Sequence, residues 1–125
     1  MSDLKKVMVV DDEKLVRQGI VTTFPWEKHG FAVVCDAGSG EKALELLERT
    51  EIDLLVTDLA MNGMSGLELI RKARALREDL PVVILTCHDD FKYVQEAIRL
   101  GVLDYIVKTE IEDEAVDEML SRIAS

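Results

Sequence analysis

The sequence predicts a doubly wound α/β sandwich, with five parallel strands in the order 2-1-3-4-5 and helices on both faces. Three observations point there. Five short apolar runs rich in β-branched residues recur along the chain, at Val7–Val10, Phe31–Cys35, Leu54–Thr57, Val82–Cys87 and Tyr105–Val107. Most are continuously apolar and do not alternate, as befits strands covered on both faces of a parallel sheet. Longer segments of helical period follow each run, and the connections are short, so (βα)5 with right-handed crossovers is the topology to expect.

Taken in order, the first helix is marked by Val16, Ile20 and Thr23/Phe24, and the second by Ala43, Leu44 and Leu47. Leu69, Ile70, Ala73 and Leu76 mark the third, Phe91, Val94 and Ile98 the fourth, and Val116, Met119, Leu120 and Ile123 the fifth. Each apolar stripe covers one face, so each helix should lie on the sheet with its charged side in water. Ser65-Gly-Leu-Glu68 has capping-box spacing at the start of the third helix, and Thr109-Glu-Ile-Glu112 repeats it before the fifth. Asp89 or Asp90 can cap the fourth helix, and Gly101 follows it as a left-handed stop. Pro81 falls at the first position of a strand, where a missing donor does least harm.

The chain of 125 residues reads as one domain, 1–125, with no linker, low-complexity tract or internal repeat beyond the β–α alternation. It holds 15 Lys+Arg against 25 Asp+Glu, a formal charge of −10. Such a chain is repelled by phosphate backbones and anionic lipid, which argues against direct nucleic-acid or membrane binding. The longest apolar stretches, such as Pro81–Leu85, are too short to span a bilayer, and Met1–Val10 lacks the shape of a signal peptide. Cys35 and Cys87 sit far apart in apolar runs, which favours reduced core thiols in a cytoplasmic protein over a disulfide.

In open α/β sheets the ligand site lies outside the carboxyl ends of the strands. Asp11 and Asp12, then Glu13, follow the first strand, and Asp58 ends the third. Thr86 ends the fourth, and Lys108 follows the fifth. Alone, each has a plain structural reading: a cap, a β-former or a solvated charge. Together they aim three carboxylates, a hydroxyl and an ammonium at one rim. Crowded carboxylates repel unless a positive charge lies between them. Mg²⁺, which takes oxygen ligands from one or two carboxylates and a phosphate, is the natural answer. With Lys108 and Thr86 it makes a site for a dianionic phosphoryl group beside a carboxylate nucleophile.

The strings Val-Met-Val-Val-Asp-Asp-Glu (7–13), Thr-Asp-Leu-Ala-Met-Asn-Gly-Met-Ser-Gly-Leu-Glu-Leu-Ile (57–70), Val-Ile-Leu-Thr (83–86) and Asp-Tyr-Ile-Val-Lys (104–108) resemble the receiver domain of two-component response regulators. The likeness runs through essentially the whole chain and also carries part of the expectation of a flavodoxin-like strand order. Around Phe24–Phe31 and His88–Gly101 the sequence is similar to receivers that precede an AraC-type DNA-binding domain. The resemblance implies that Asp58 is the phosphoacceptor for a sensor histidine kinase. It implies that Asp11, Asp12 and Asp58 hold Mg²⁺ with the backbone carbonyl of Ala60, and that Lys108 pairs with phosphoryl oxygens. It implies that Thr86 and Tyr105 form the switch. It further implies readout or homodimerisation through the fourth helix, fifth strand and fifth helix, with transcription control by a DNA-binding domain as the output. Such a module catalyses only its own phosphorylation and dephosphorylation.

Three departures from the family pattern stand out. Asn62 replaces a usual proline, which suggests a less rigid loop while touching no role-bearing side chain. Thr109 replaces a proline that is normally cis. A non-proline cis bond costs ~2.5–4 kcal/mol, so the choice lies between a trans bond with Lys108 re-aimed and a strained cis bond. Ala60 and His88 fall where the family tunes phosphoryl lifetime, and alanine holds no attacking water, which implies a long-lived phosphoryl state. Gly38-Ser-Gly-Glu-Lys-Ala43 matches G-x-G-x-x-A, yet it follows the second strand and reads better as a turn and helix start than as a dinucleotide site. The six acids and no base of Glu110–Glu118 suit a helix N-terminus or a partner surface. Two rival functions remain in view. A Mg²⁺-dependent phosphohydrolase or phosphotransferase would want a second Asp where Ala60 stands. A pseudo-receiver interaction module would have lost the acidic pair, the acceptor or the lysine.

Overall fold

A computed structural model describes residues 3–87 and 91–124. The strands are β1 (Lys5–Val10), β2 (Phe31–Ala37), β3 (Leu54–Asp58), β4 (Val82–Thr86) and β5 (Asp104–Val107). The helices are α1 (Lys14–Thr23), α2 (Gly40–Arg49), α3 (Gly66–Leu76), α4 (Phe91–Arg99) and α5 (Asp113–Ala124). All neighbouring strands pair in parallel in the order β2-β1-β3-β4-β5, the expected doubly wound, flavodoxin-like sheet.

Continuous apolarity and burial go together. Every residue of β3 and β4 is buried, as are Val7–Val10 of β1, whereas the edge strands β2 and β5 are only partly covered. Alternate side chains of β1 feed two cores. Met8 and Val10 pack with Leu55, Leu69, Ile70 and Ala97 on the face under α2, α3 and α4. Val7 and Val9 pack with Ile20, Val116 and Leu120 on the face under α1 and α5. Phe24, Trp26 and Phe31 close the second core at its lower end, and the Trp26 indole N–H donates to the Ile20 carbonyl at 3.1 Å.

Local signals are mostly met. The Ser65 hydroxyl accepts from the Glu68 N–H, capping α3. Gly101, at φ 79°, ends α4 in the left-handed conformation. Ser39 caps α2 within the G-x-G-x-x-A string, and a side chain at Gly40 would meet Met64, so that string builds a helix start against α3.

Other expectations need correcting. Thr109 caps no helix: residues 108–110 form a 3₁₀ turn, and α5 begins later, at Asp113. Pro81 precedes β4 and is not its first residue. Leu76 is exposed at the end of α3. The stripe on α4 is misphased: Ala97 is its buried residue, while Phe91 and Ile98 face outward at 69% and 57% exposure. Cys35 and Cys87 join no disulfide, but they are half-buried and not fully in the core. The caps at Asp89 and Asp90 and the role of His88 lie outside the described residues.

Candidate functional site

Strand register assembles the site. Val10 pairs with Thr57, Asp58 with Leu85, and Thr86 with Val107, so residues one step beyond these pairs share one rim. Asp11 follows β1 and Lys108 follows β5, while Asp58 and Thr86 end their own strands. Asp11, Asp58 and Thr86 are 0%, 2% and 1% exposed. Short polar side chains this deep persist only where charge or hydrogen bonding meets them.

Lys108 does so. Its Nζ lies 2.9 Å from Asp58 Oδ2, 2.9 Å from Asp11 Oδ2 and 3.2 Å from Glu13 Oε1. The peptide bonds among the described residues are all trans, so the bond to Thr109 is trans. Lys108 is nevertheless aimed into the cluster. The expected link between a trans bond and a re-aimed lysine does not hold: Lys108 opens the 3₁₀ turn and its side chain reaches both Asp11 and Asp58.

Burial is the largest influence on Asp58. Burial and the Asp11 charge raise its pKa to about 6, against the opposing Lys108 contact and Ala60 N–H. Burial also works against the Lys108 ammonium, but close contact with the Asp11 and Asp58 carboxylates holds its pKa above the ordinary lysine value.

The acidic trio leaves room for a cation. Asp11, Asp12 and Asp58 each offer an oxygen within 4.8 Å of the others. Asp11 Oδ1 accepts from the Glu13 N–H at 2.9 Å. Asp11 Oδ2 touches Lys108 only as an ion contact, and it is the one buried side-chain polar atom among the described residues with no aligned hydrogen bond. A buried oxygen in that state invites a ligand. An all-oxygen, anionic donor set suits a hard divalent ion such as Mg²⁺.

Three contributors were missed from sequence. Asn62, read as touching no role-bearing side chain, donates its backbone N–H to Asp12 Oδ2 at 3.0 Å. The usual proline has no such donor, so here the loop after Asp58 is tied to the acidic pair. Arg17 places a guanidinium on the Asp11 carbonyl and on Asp36, which braces the β1–α1 turn from outside. Its spacing one helical turn after Glu13 was the available signal. Glu13 itself was noted only as following the acidic pair, and nothing local indicates that it reaches Lys108. Tyr105 stands outside the cluster on β5, 46% exposed.

A 2-1-3-4-5 sheet with carboxylates, a hydroxyl and an ammonium gathered at one rim defines a doubly wound α/β domain with an anionic site at its carboxyl edge. Comparison with known proteins narrows this. Residues 7–120 match the response regulator receiver domain, and the chain belongs to that family. It superposes on the receiver domain of AraT, a response regulator from Geobacillus stearothermophilus. The TM-score is 0.88 and the identity 37%, covering 97% of this chain and 93% of that one. A two-component transcriptional regulator AraC from Clostridium phytofermentans gives a TM-score of 0.84 at 27% identity, over 94% and 91% of the two chains. The transcriptional regulatory protein HptR of Staphylococcus aureus is 35% identical over 82% of this chain. The chain spans only 40% of the length of that relative.

The chain is thus a phosphorylation-switched signalling module, and the phosphohydrolase and purely structural readings are not favoured. No helix among the described residues is long and apolar enough to cross a membrane.

Proposed function

We propose that Asp58 accepts the phosphoryl group. An Asp58 carboxylate oxygen forms a bond to phosphorus as the bond to a kinase's phosphohistidine nitrogen breaks, and the imidazole leaves with the electron pair. The observation that carries this reading is the Lys108 ammonium held 2.9 Å from both Asp58 and Asp11 in a buried rim. It stands ready to meet phosphoryl oxygens without solvent reorganisation. Asp11, Asp12 and Asp58, with the Ala60 carbonyl, are the residues that would hold Mg²⁺. The ion would supply charge neutralisation for the carboxylates and polarise the incoming group.

Phosphorylation adds about −1.5 to −2 charges and strong acceptors at the rim. Thr86, whose hydroxyl now donates to the Cys87 carbonyl at 3.2 Å, is the donor to be drawn toward them, and the outward Tyr105 follows into the space it vacates. Inverting a 1:99 population needs about 5.5 kcal/mol of differential stabilisation. Two or three charge-assisted hydrogen bonds supply much of it. The readout surface is α4–β5–α5, which also serves a homodimer. The chain works in the cytoplasm, and its partners are a sensor histidine kinase and, in a longer protein, an AraC-type DNA-binding domain. The phosphoryl state is long-lived because Ala60 positions no water. Changing Ala60 to a polar residue should shorten it.

Incubation with acetyl phosphate and Mg²⁺, read by intact mass, should add one phosphoryl group to the parent chain and none to Asp58→Asn. Modification of the variant, or none of the parent, would overturn the assignment.

A further inference from the structure

Three carboxylates surround the Lys108 ammonium. It donates hydrogen bonds to Asp58 at 2.9 Å and Glu13 at 3.2 Å, and Asp11 lies 2.9 Å away as an ion contact. Two of these are buried and belong to the rim. The third differs in kind, because the Glu13 side chain is 63% exposed and reaches Lys108 from the solvent side. Glu13 occupies the N-cap position of α1, yet its side chain makes no capping hydrogen bond. Its backbone is pinned instead, with the N–H on Asp11 Oδ1 and the carbonyl accepting from Arg17 N, both at 2.9 Å. A carboxylate that forgoes the helix N-terminus to cover the outer side of the lysine is placed where a third acceptor oxygen would arrive.

We propose that Glu13 is a positioning residue that acts through Lys108, a displaceable outer carboxylate holding the donor that a phosphoryl oxygen must take. This rests on the reading of Asp58 as phosphoacceptor. Arrival of the group then has two consequences for Glu13. It gives up its contact with Lys108, and it faces a new anion across a few ångströms of partly solvated space. Two unit charges about 4 Å apart in water interact strongly enough to change a rate or an affinity by about five-fold. Glu13 thus biases the chain toward the unphosphorylated state and against small anionic donors. A protein donor can cover the same rim and move Glu13 aside as it docks.

Three chains test this with Mg²⁺ present: the parent, Glu13→Gln and Glu13→Asp. Glutamine keeps the length and loses the charge. Aspartate keeps the charge and is one methylene too short for the contact. The readouts are the rate of phosphoryl gain from acetyl phosphate, in which acetate leaves as Asp58 bonds to phosphorus, and the half-saturating concentration of beryllofluoride. With Glu13→Gln the rate should rise about five-fold and the beryllofluoride midpoint should fall by a similar factor, with an unchanged plateau and urea midpoint. Glu13→Asp should move in the same direction. Rates and midpoints within two-fold of the parent would overturn the proposal, as would a Glu13→Asp chain indistinguishable from the parent beside a fast Glu13→Gln. Failure of the parent itself to gain the group, or gain by Asp58→Asn, would instead bring down the Asp58 reading.

Discussion

The rim of β1, β3 and β4 and the flank formed by α4 and β5 are built on opposite terms. At the rim, Asp11, Asp58 and Thr86 are almost wholly buried; strand register places them, and ion contacts to Lys108 hold the two carboxylates. On the flank, Ala97 is the buried residue of α4, and Phe91, Tyr93, Ile98, Leu103 and Tyr105 face outward. Arg74 ties that flank down from α3, donating to the Leu80 and Gly101 carbonyls at 3.3 and 3.2 Å. The carboxylates proposed for phosphoryl transfer sit in the closely packed rim. The surface proposed for readout sits where little apolar area is covered, and local stability sets which segments can respond.

The contrast breaks most sharply at Gly66. A Cβ there would lie 2.1 Å from the Asp58 carbonyl oxygen and 2.7 Å from Leu59 Cα, both backbone. Gly66→Ala should therefore cost about 3 kcal/mol in urea denaturation and displace Asp58 as well.

Asp58→Asn should move stability the other way. The carboxyl titrates near 6 in the fold against an ordinary 3.8, so the folded chain holds its proton more tightly than the unfolded one. Its contribution favours the fold below pH 4 and is lost as pH rises through 6. At pH 7 without divalent metal, the variant should be more stable than the parent by ~1–3 kcal/mol. The gap should close as pH falls to 4, as read by denaturation across that range.

Arg74→Ala should cost about 1 kcal/mol, the worth of its carbonyl contacts, with faster amide exchange confined to α4 and the turn at Gly101. Phe91→Ser, on the outward face, should change the urea midpoint least, by no more than about 0.5 kcal/mol.

The same contrast explains what could be read in advance. Runs such as Leu54–Thr57 announced buried strands because only a doubly covered strand is apolar throughout. Asp11, Asp58, Thr86 and Lys108 came together because strand ends in a parallel sheet share one edge. In the α4 stripe Val94 packs against the core as expected, but Phe91 and Ile98 were misassigned because apolar spacing marks a face without saying whether the rest of the chain covers it. The Glu13–Lys108 contact spans most of the chain and leaves no local pattern. The Asn62 donor is a backbone group, so the side-chain identity hid it.

On the proposed reading, a charge placed on Asp58 in the buried rim is answered on the exposed α4–β5 flank. Amide chemical shifts with Mg²⁺, before and after beryllofluoride, test it most directly. Large changes should appear at the rim, at Thr86 and Tyr105 and along α4, while β2 and the aromatic cluster of Phe24, Trp26 and Phe31 stay unchanged. Changes confined to the rim, with α4 and Tyr105 unmoved, would contradict the account.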